Sequence, residues 1–343
     1  MVSRIGILTG GGDCPGLNAA IRAVVRRADQ SNVLTFGFRA GWKGVLDLEV
    51  DQLTVSTTRG LLHRGGTILG TSRVDPYRET DGVARIREAL EVHRLDGLVV
   101  IGGEGTLSAA TRLTEEGIPI VGIPKTIDND VAGTELTIGF MTAVRTATEA
   151  VDRLHSTAES HNRVMVLEVM GRHAGWIATY AGMAGGADAI LIPEVPFDID
   201  AVGRHLKHRA GSGRDFSIVV VAEGALPLDG TMKIEAPPND EFGRPRLGGI
   251  GHTIAQEIEA RTGFPARVTI LGHVQRGGSP SPMDRVLATQ MGVKAAELAI
   301  DGRWGQMTAF QNHSVEPIPL AEATGTLKTV PSSLYHVAET FFG

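Results

Sequence analysis

The chain has a single cysteine, Cys14, in 343 residues, which excludes an intrachain disulfide framework and fits a reducing cytosol. No apolar run approaches the roughly 20 residues that a membrane span requires. Met1 to Thr9 is short for a secretory leader and runs straight into a glycine turn, so the expected location is cytoplasmic. A formal net charge of −6 without a block of like charges gives no general attraction to nucleic acid or to an anionic membrane, and neither partner is expected. Low-complexity tracts and solenoid repeats are missing too. The first glycine turn is neither a dinucleotide G-x-G-x-x-G nor a Walker lysine loop, which counts against a nicotinamide dehydrogenase and an ordinary P-loop enzyme. Histidine-rich metal spacings, a Ser-His-Asp arrangement and a reactive-cysteine context are not evident. Cys14 reads as a small packed side chain.

What the chain does have is glycine, 44 residues of it, concentrated where apolar runs end. Ile5 to Leu8 leads into Gly10-Gly11-Gly12-Asp13-Cys14-Pro15-Gly16 and then a helix whose Leu17, Ala20, Ile21, Val24 and Val25 share one face. Strand, glycine turn and helix start aim backbone N–H groups and the helix dipole at one spot, which binds anions; a tight turn without a ligand is the plainer alternative. Leu34 to Phe38 leads to Gly41-Trp42-Lys43-Gly44, and Arg64 to Arg73 is a second glycine-rich segment. Arg73 suits a phosphate clamp or a solvated surface charge. After a helix around Val83 to Leu90, the strand Leu98 to Ile101 ends in Gly102-Gly103-Glu104-Gly105-Thr106. A carboxylate among glycines ahead of a helix suits a Mg2+ bridging phosphate oxygens more than a plain turn.

The run Ile118 to Ile123 precedes Pro124-Lys125-Thr126-Ile127-Asp128-Asn129-Asp130, which reads as a buried strand delivering acids into a cleft, or as a solvated turn. A long helix follows over about Thr142 to Ser160, burying Val144, Ala147, Val151 and Leu154. Val164 to Val169 ends in Met170-Gly171-Arg172, Ile218 to Ala222 in Glu223-Gly224, and Arg267 to Leu271 in Gly272 to Gly278; Pro227 to Gly249 reads as a surface excursion. Polar groups thus recur after six apolar runs, at Asp13, Glu104, Asp128, Arg172, Glu223 and His273. In parallel α/β sheets that is where ligands bind. The expected fold is α/β, in two similar three-layer lobes with mostly parallel sheets and the active site in the cleft between them. The second lobe begins near Phe140 and the chain crosses back near Arg276. Glycine cradles, carboxylates and arginines together are the inventory of phosphoryl transfer: a positioned anionic donor, charge neutralisation and a base for the acceptor hydroxyl.

These motifs resemble the 6-phosphofructokinase family across nearly the whole chain: Gly11 to Asn18, Gly102 to Thr106, Pro124 to Asp130, Met170-Gly171-Arg172 and Gly272 to Gly278. The resemblance implies transfer of a phosphoryl group to the 1-hydroxyl of fructose 6-phosphate, giving fructose 1,6-bisphosphate, in glycolysis. It implies a donor-binding lobe of 1–139 plus about 276–325, and a sugar-phosphate lobe of about 140–275 plus the C-terminal tail. Asp128 would be the base, with Thr126 and Ile127 beside it in the acceptor site. Arg172, with Met170 and Gly171, would face the transferring phosphate and the sugar, and Glu223 would bind sugar hydroxyls. Arg163, Arg267, His273, Val274, Gln275 and Arg276 match the substrate-phosphate region. Arg163 and Arg267 would reach in from a neighbouring subunit of a homotetramer.

On the donor side, the resemblance places Gly12, Arg73, Val74, Gly103, Glu104, Gly105 and Thr106 at the nucleotide, with Glu104 where many relatives carry the metal-binding Asp for Mg2+. Relatives that use pyrophosphate have an aspartate at the position of Gly105, so glycine there argues for ATP. Lys125 points the other way, since pyrophosphate users typically carry lysine at that position. ATP is the expected donor; a pyrophosphate-dependent enzyme and a catalytically silent sugar-phosphate or nucleotide sensor are the rivals. Arg22 and Arg26 match effector-binding arginines of allosteric bacterial relatives, or form a solvated helix face. His155 departs from an expected arginine and Arg209 to Arg214 does not align cleanly, so no effector is assigned.

Overall fold

The structure is a computed structural model that describes residues 1–232 and 247–342; residues 233–246, within the expected excursion Pro227 to Gly249, lie outside it. In chain order the elements begin with β1 (Arg4–Thr9), α1 (Leu17–Asp29), β2 (Leu34–Phe38), α2 (Trp42–Leu46), β3 (Val50–Leu53), α3 (Gly82–His93), β4 (Gly97–Gly102) and α4 (Glu104–Glu115). Next come β5 (Ile120–Thr126), β6 (Ile138–Gly139), α5 (Phe140–His161), β7 (Val164–Val169), α6 (Trp176–Gly185), β8 (Ala189–Leu191), α7 (Ile199–Gly211) and β9 (Ser217–Ala222). The rest are α8 (Ile250–Thr262), β10 (Ala266–Ile270), α9 (Pro282–Ile300), β11 (Gln306–Gln311), β12 (Ser314–Pro319) and α10 (Ser332–Glu339).

These elements divide into two compact units, Met1–Thr142 with Arg276–Lys328 and Ala143–Gln275 with Thr329–Gly343. The first unit carries an 8-stranded sheet in the order β12-β11-β5-β4-β1-β2-β3, with β6 beside β5. Its central pairings β2–β1, β1–β4 and β4–β5 are parallel, and β3 and β12 close the two sides antiparallel. Strands covered by helices on both faces become continuous apolar runs, as in β4, where all six residues are buried. Burying each of Leu98, Val100 and Ile101 contributes about 1.5–3 kcal/mol. Helix α9 approaches α1 closely because Gly292 faces Ala20, where a Cβ would lie 2.7 Å from a backbone carbonyl.

The second unit is built on a smaller, 4-stranded sheet in the order β10-β7-β9-β8, parallel throughout. Val164, Val166, Val219 and Val221 from its central strands pack with Ile199, Leu206, Ile254 and Ile258 from α7 and α8. Helix α7 has a side-chain N-cap, Asp198, which accepts from the amide of Asp200 at 2.9 Å.

One strand runs further than its apolar run. The apolar run ends at Ile123, and of the two readings of the stretch after it, buried strand or solvated turn, its first part is strand, because β5 continues through Thr126. The proline is tolerated because β5 changes partner around it: β11 pairs at Val121 and Gly122, and β6 at Lys125 and Thr126. Lys125 therefore lies inside the sheet, only 2% exposed, and not in a loop.

Candidate active site

In the first unit, β1, β4 and β5 lie side by side and parallel, so the segments after their C-terminal ends converge. These are the glycine turn 10–16, Gly103-Glu104, and the turn carrying Asp128. Helices α1 and α4 start at Gly16 and Gly103 without a side-chain cap, unlike α7 and α9, which leaves their first amides available to an anion. Gly11 donates its N–H to the carbonyl of Ser72 at 3.0 Å, and Thr71 Oγ1 donates to the carbonyl of Gly11 at 2.5 Å. That strap brings the exposed Arg73 beside the glycine turn. Val74 instead packs partly buried against the hydrophobic core. Arg276 lies across the same turn: its Nη1 donates to the carbonyl of Asp13 at 3.3 Å, and a Cβ on Gly12 would come within 2.6 Å of that atom.

Two residues of the expected nucleotide set have different surroundings. Thr106 is buried, and its side chain fills the space over Gly10 and Gly102, where added Cβ atoms would lie 2.7 and 2.4 Å away. It shapes the turn with its side chain while its N–H is already given to the carbonyl of Gly103. Gly105 is the opposite case, because a Cβ there meets nothing within 4 Å. Packing does not demand glycine at that position.

Lys125 is held by the glycine turn itself. Its ammonium donates to the carbonyls of Gly10 at 2.9 Å and Gly12 at 2.6 Å, and burial pulls its pKa down. Beneath the turn, Cys14 donates its thiol to the carbonyl of Ile138 at 3.3 Å, and burial pushes its pKa up to about 12, so it is a packing group.

The Asp128 turn is shaped by Asn129, which takes a left-handed φ of 53°. Its buried side chain donates to the carbonyl of Glu135 at 3.2 Å and accepts from the amide of Thr137 at 3.0 Å. Thr126 Oγ1 accepts from the amide of Asp128 at 3.1 Å, which orders the backbone of Asp128. Ile127 turns its side chain into the core and is fully buried. Asp130 has a buried Oδ1 with no hydrogen-bond partner. Burial pushes its carboxyl above the ordinary range, and the negative charge of Glu104 acts in the same direction. Glu104, in the first turn of α4, accepts from Ser108 Oγ at 2.9 Å. A cation beside these two carboxylates would relieve both the orphaned oxygen and the repulsion. No group of three or more His, Cys, Asp or Glu among the described residues is arranged to hold a metal alone. Mg2+ commonly takes one or two carboxylates and completes its shell with water and substrate phosphates, and Glu104 and Asp130 would supply such a pair.

In the second unit, the C-terminal ends of β10, β7 and β9 carry His273, Met170 to Arg172, and Glu223. Gly224 sits against the carbonyl of Arg172, where a Cβ would come within 1.9 Å, so glycine is required for these two segments to meet. Gln275, expected as a substrate ligand, is fully buried: its Oε1 accepts from the amide of Met170 at 3.2 Å and its Nε2 donates to the carbonyl of Gly272 at 3.1 Å. It braces the Met170 and His273 segments against each other. Val274 next to it is 65% exposed.

Arg163 and Arg267 lie at the other end of this sheet, immediately before β7 and second in β10, where Arg267 stands opposite Met165. A strand of 6 residues separates Arg163 from the Met170 segment, about 20 Å at ~3.3 Å per residue. Within one chain they are not brought to Arg172 and Glu223. The residues considered for an effector behave differently again. Arg209 is buried in an ion pair with Asp188 at 2.6 Å, and His155 Nε2 lies 2.6 Å from the carbonyl of Gly185, both bordering a cavity of about 550 Å3. Arg22 and Arg26 lie on a partly open face of α1.

An α/β chain with glycine turns, uncapped helix starts and an acid turn at the C-terminal ends of parallel strands defines the broad class, and comparison with known proteins fixes the family. The phosphofructokinase family profile matches residues 4–299. A pyrophosphate–fructose 6-phosphate 1-phosphotransferase of Streptomyces coelicolor is 53% identical over 342 residues, covering 99% of this chain and 100% of that protein. An ATP-dependent 6-phosphofructokinase 3 of the same organism is also 53% identical, over 338 residues, 98% of this chain and 99% of that one. The solved phosphofructokinase of Saccharomyces cerevisiae matches with a TM-score of 0.80 and 32% identity, over 99% of this chain and 46% of the longer yeast chain. The chain belongs to the phosphofructokinase family, and is an enzyme of the phosphotransferase class that acts on an alcohol group. Relatives at equal identity are named for different donors, so likeness alone leaves the donor open.

Proposed function

We propose that the protein is an ATP-dependent 6-phosphofructokinase, a cytoplasmic enzyme of glycolysis that phosphorylates the 1-hydroxyl of fructose 6-phosphate. The observation that carries the donor reading is Gly105, whose side-chain direction is open for 4 Å although the fold does not require glycine there. An aspartate would fit that space and set a negative charge against a nucleotide's phosphates; glycine leaves it clear. Lys125, the residue that favoured pyrophosphate, has two of its ammonium hydrogens engaged by Gly10 and Gly12. Its fixed place in the turn accounts for a lysine without a pyrophosphate donor.

In this reading the glycine turns, the starts of α1 and α4 and Arg73 receive the donor phosphates, and Arg276, held across the first turn, meets the substrate phosphate. Asp128 takes the proton of the 1-hydroxyl as the bond from that oxygen to the γ-phosphorus forms. The bond from the γ-phosphorus to its bridging oxygen breaks, and ADP leaves with the electron pair. Glu104, with Asp130 in support, would hold a bound Mg2+, which supplies charge neutralisation on the donor phosphates. Arg172 balances charge on the transferring group, and Met170, Gly171, Glu223 and His273 bind the acceptor. Arg163 and Arg267 serve a neighbouring chain's acceptor site in a homotetramer, a reading supported by their place at the opposite strand ends from Arg172.

Assaying purified protein with fructose 6-phosphate and Mg2+, with either ATP or pyrophosphate, tests this reading. ATP turnover is expected. Turnover with pyrophosphate alone would overturn the donor assignment, and binding without turnover would make the protein a sensor.

A further inference from the structure

We propose that Lys328 is a positioning residue for the catalytic turn, acting through Asn129 and Asp130. The inference rests on the reading of Asp128 as the base. Lys328 holds both ends of the segment that shapes the turn. Its backbone N–H donates to the carbonyl of Asp130 at 3.0 Å, and the preceding Leu327 pairs antiparallel with Val131. Its ammonium crosses to the far side of the loop and donates to the carbonyls of Thr134 at 2.8 Å and Glu135 at 2.9 Å. The carbonyl of Glu135 is the node, because it also receives the side-chain amide of Asn129 at 3.2 Å.

The geometry has a mechanical consequence. Asn129 sits directly between Asp128 and Asp130 in a left-handed φ of 53°, and its side chain is tied at 135 and 137. That tether is as firm as the loop it is tied to. The loop has its own support: Glu135 donates its amide to the carbonyl of Phe310 at 2.8 Å, and the amide of Phe310 donates to Thr134 Oγ1 at 2.9 Å. Strand β11 therefore fixes the loop from one side, and the ammonium of Lys328 adds a second hold on the loop's carbonyls beside the direct bonds of Asn129. Without it the fold keeps its core, but the carboxylate of Asp128 loses the reference that fixes its distance from the acceptor hydroxyl. A misplacement of about 1 Å at such a group costs on the order of 100-fold in rate.

Lys328→Met keeps the length and apolar stem of the side chain and removes the ammonium. The expected result is a fall in kcat of roughly 10- to 100-fold, with KM for fructose 6-phosphate and ATP within about twofold of the parent and the thermal midpoint nearly unchanged. An unchanged kcat, or a loss that appears only in the thermal midpoint, would overturn the proposal. Lys328→Cys followed by aminoethylation rebuilds a lysine-length ammonium, and buried Cys14 does not compete for the reagent. Recovery of kcat after aminoethylation supports a positioning role, and failure to recover contradicts it even if Lys328→Met does not fold. Asp128→Asn, run in parallel, separates the two readings. If it is fully active the base assignment itself fails; if it is inactive while Lys328→Met is fully active, only the present inference fails.

Discussion

In the first unit the candidate residues meet at one end of one sheet: the glycine turn, Glu104 and Asp128 follow the neighbouring parallel strands β1, β4 and β5. Hydrogen bonds buried in the same unit fix them, through Lys125 under the glycine turn and Asn129 under the acid turn. In the second unit the acceptor-binding candidates are divided, with Arg172, Glu223 and His273 after the strands and Arg163 and Arg267 before or near the start of theirs. Arg267 is exposed and tied to Glu259 only by a 3.5 Å ion pair, the kind that contributes little to stability. The contrast is in placement: the first unit's candidates follow neighbouring strand ends of one sheet, whereas Arg163 and Arg267 stand at the opposite strand ends from Arg172 and Glu223, which motivates the proposal that they serve a neighbouring chain.

The largest expected effect tests the first half of that contrast. Asp128→Asn removes the base while Thr126 and Asn129 still shape the turn, so kcat should fall by roughly 100-fold or more without loss of folding. Near-normal kcat would take Asp128 out of the mechanism. Next comes the divided half. Arg267→Ser should raise KM for fructose 6-phosphate by about 10- to 100-fold, the worth of a charged hydrogen bond to phosphate, and leave KM for ATP alone. An unchanged KM would return Arg267 to the role of a surface charge. A smaller change is expected from Gly105→Asp, which should raise KM for ATP by about tenfold, roughly 1.4 kcal/mol, without loss of stability, since a Cβ at that position meets nothing within 4 Å. Unchanged ATP kinetics would mean that Gly105 does not report donor choice. At the bottom of the scale, Cys14 should show no reaction at all. Its thiol, with a pKa pushed up to about 12, stays protonated at pH 8, so a thiol reagent should find no thiol in the native chain and one after unfolding. Rapid labelling of the native chain would show that the glycine turn opens.

Strands β1, β4, β7 and β9 are legible in the sequence because parallel strands covered on both faces must be largely apolar. Antiparallel edge strands escape that rule. β3 has two exposed polar residues, Asp51 and Gln52, in its middle. The β11–β12 hairpin turns on Asn312 and His313, at φ 49° and 65°, with no glycine to announce it. The polar groups following the apolar runs are legible as well, since strand ends fix where they project. Their supports are not: Lys328 meets the acid loop from 194 and 193 residues away, and no local pattern encodes that bond. Lys125 shows the remaining gap. Its residue type suggests a donor ligand, but a partner change along β5 places it in the sheet with its ammonium under the turn.

The central claim, that a complete acceptor site needs two chains, is tested most directly by co-expressing Asp128→Asn with the double variant Arg163→Ser and Arg267→Ser, each nearly inactive alone. If the arginines serve a neighbour, random pairing across a two-fold contact should restore about a quarter of the native sites and a matching share of native activity at low fructose 6-phosphate. If each chain uses its own arginines, every site in the mixture stays defective, and activity no higher than that of the separate variants would contradict the account.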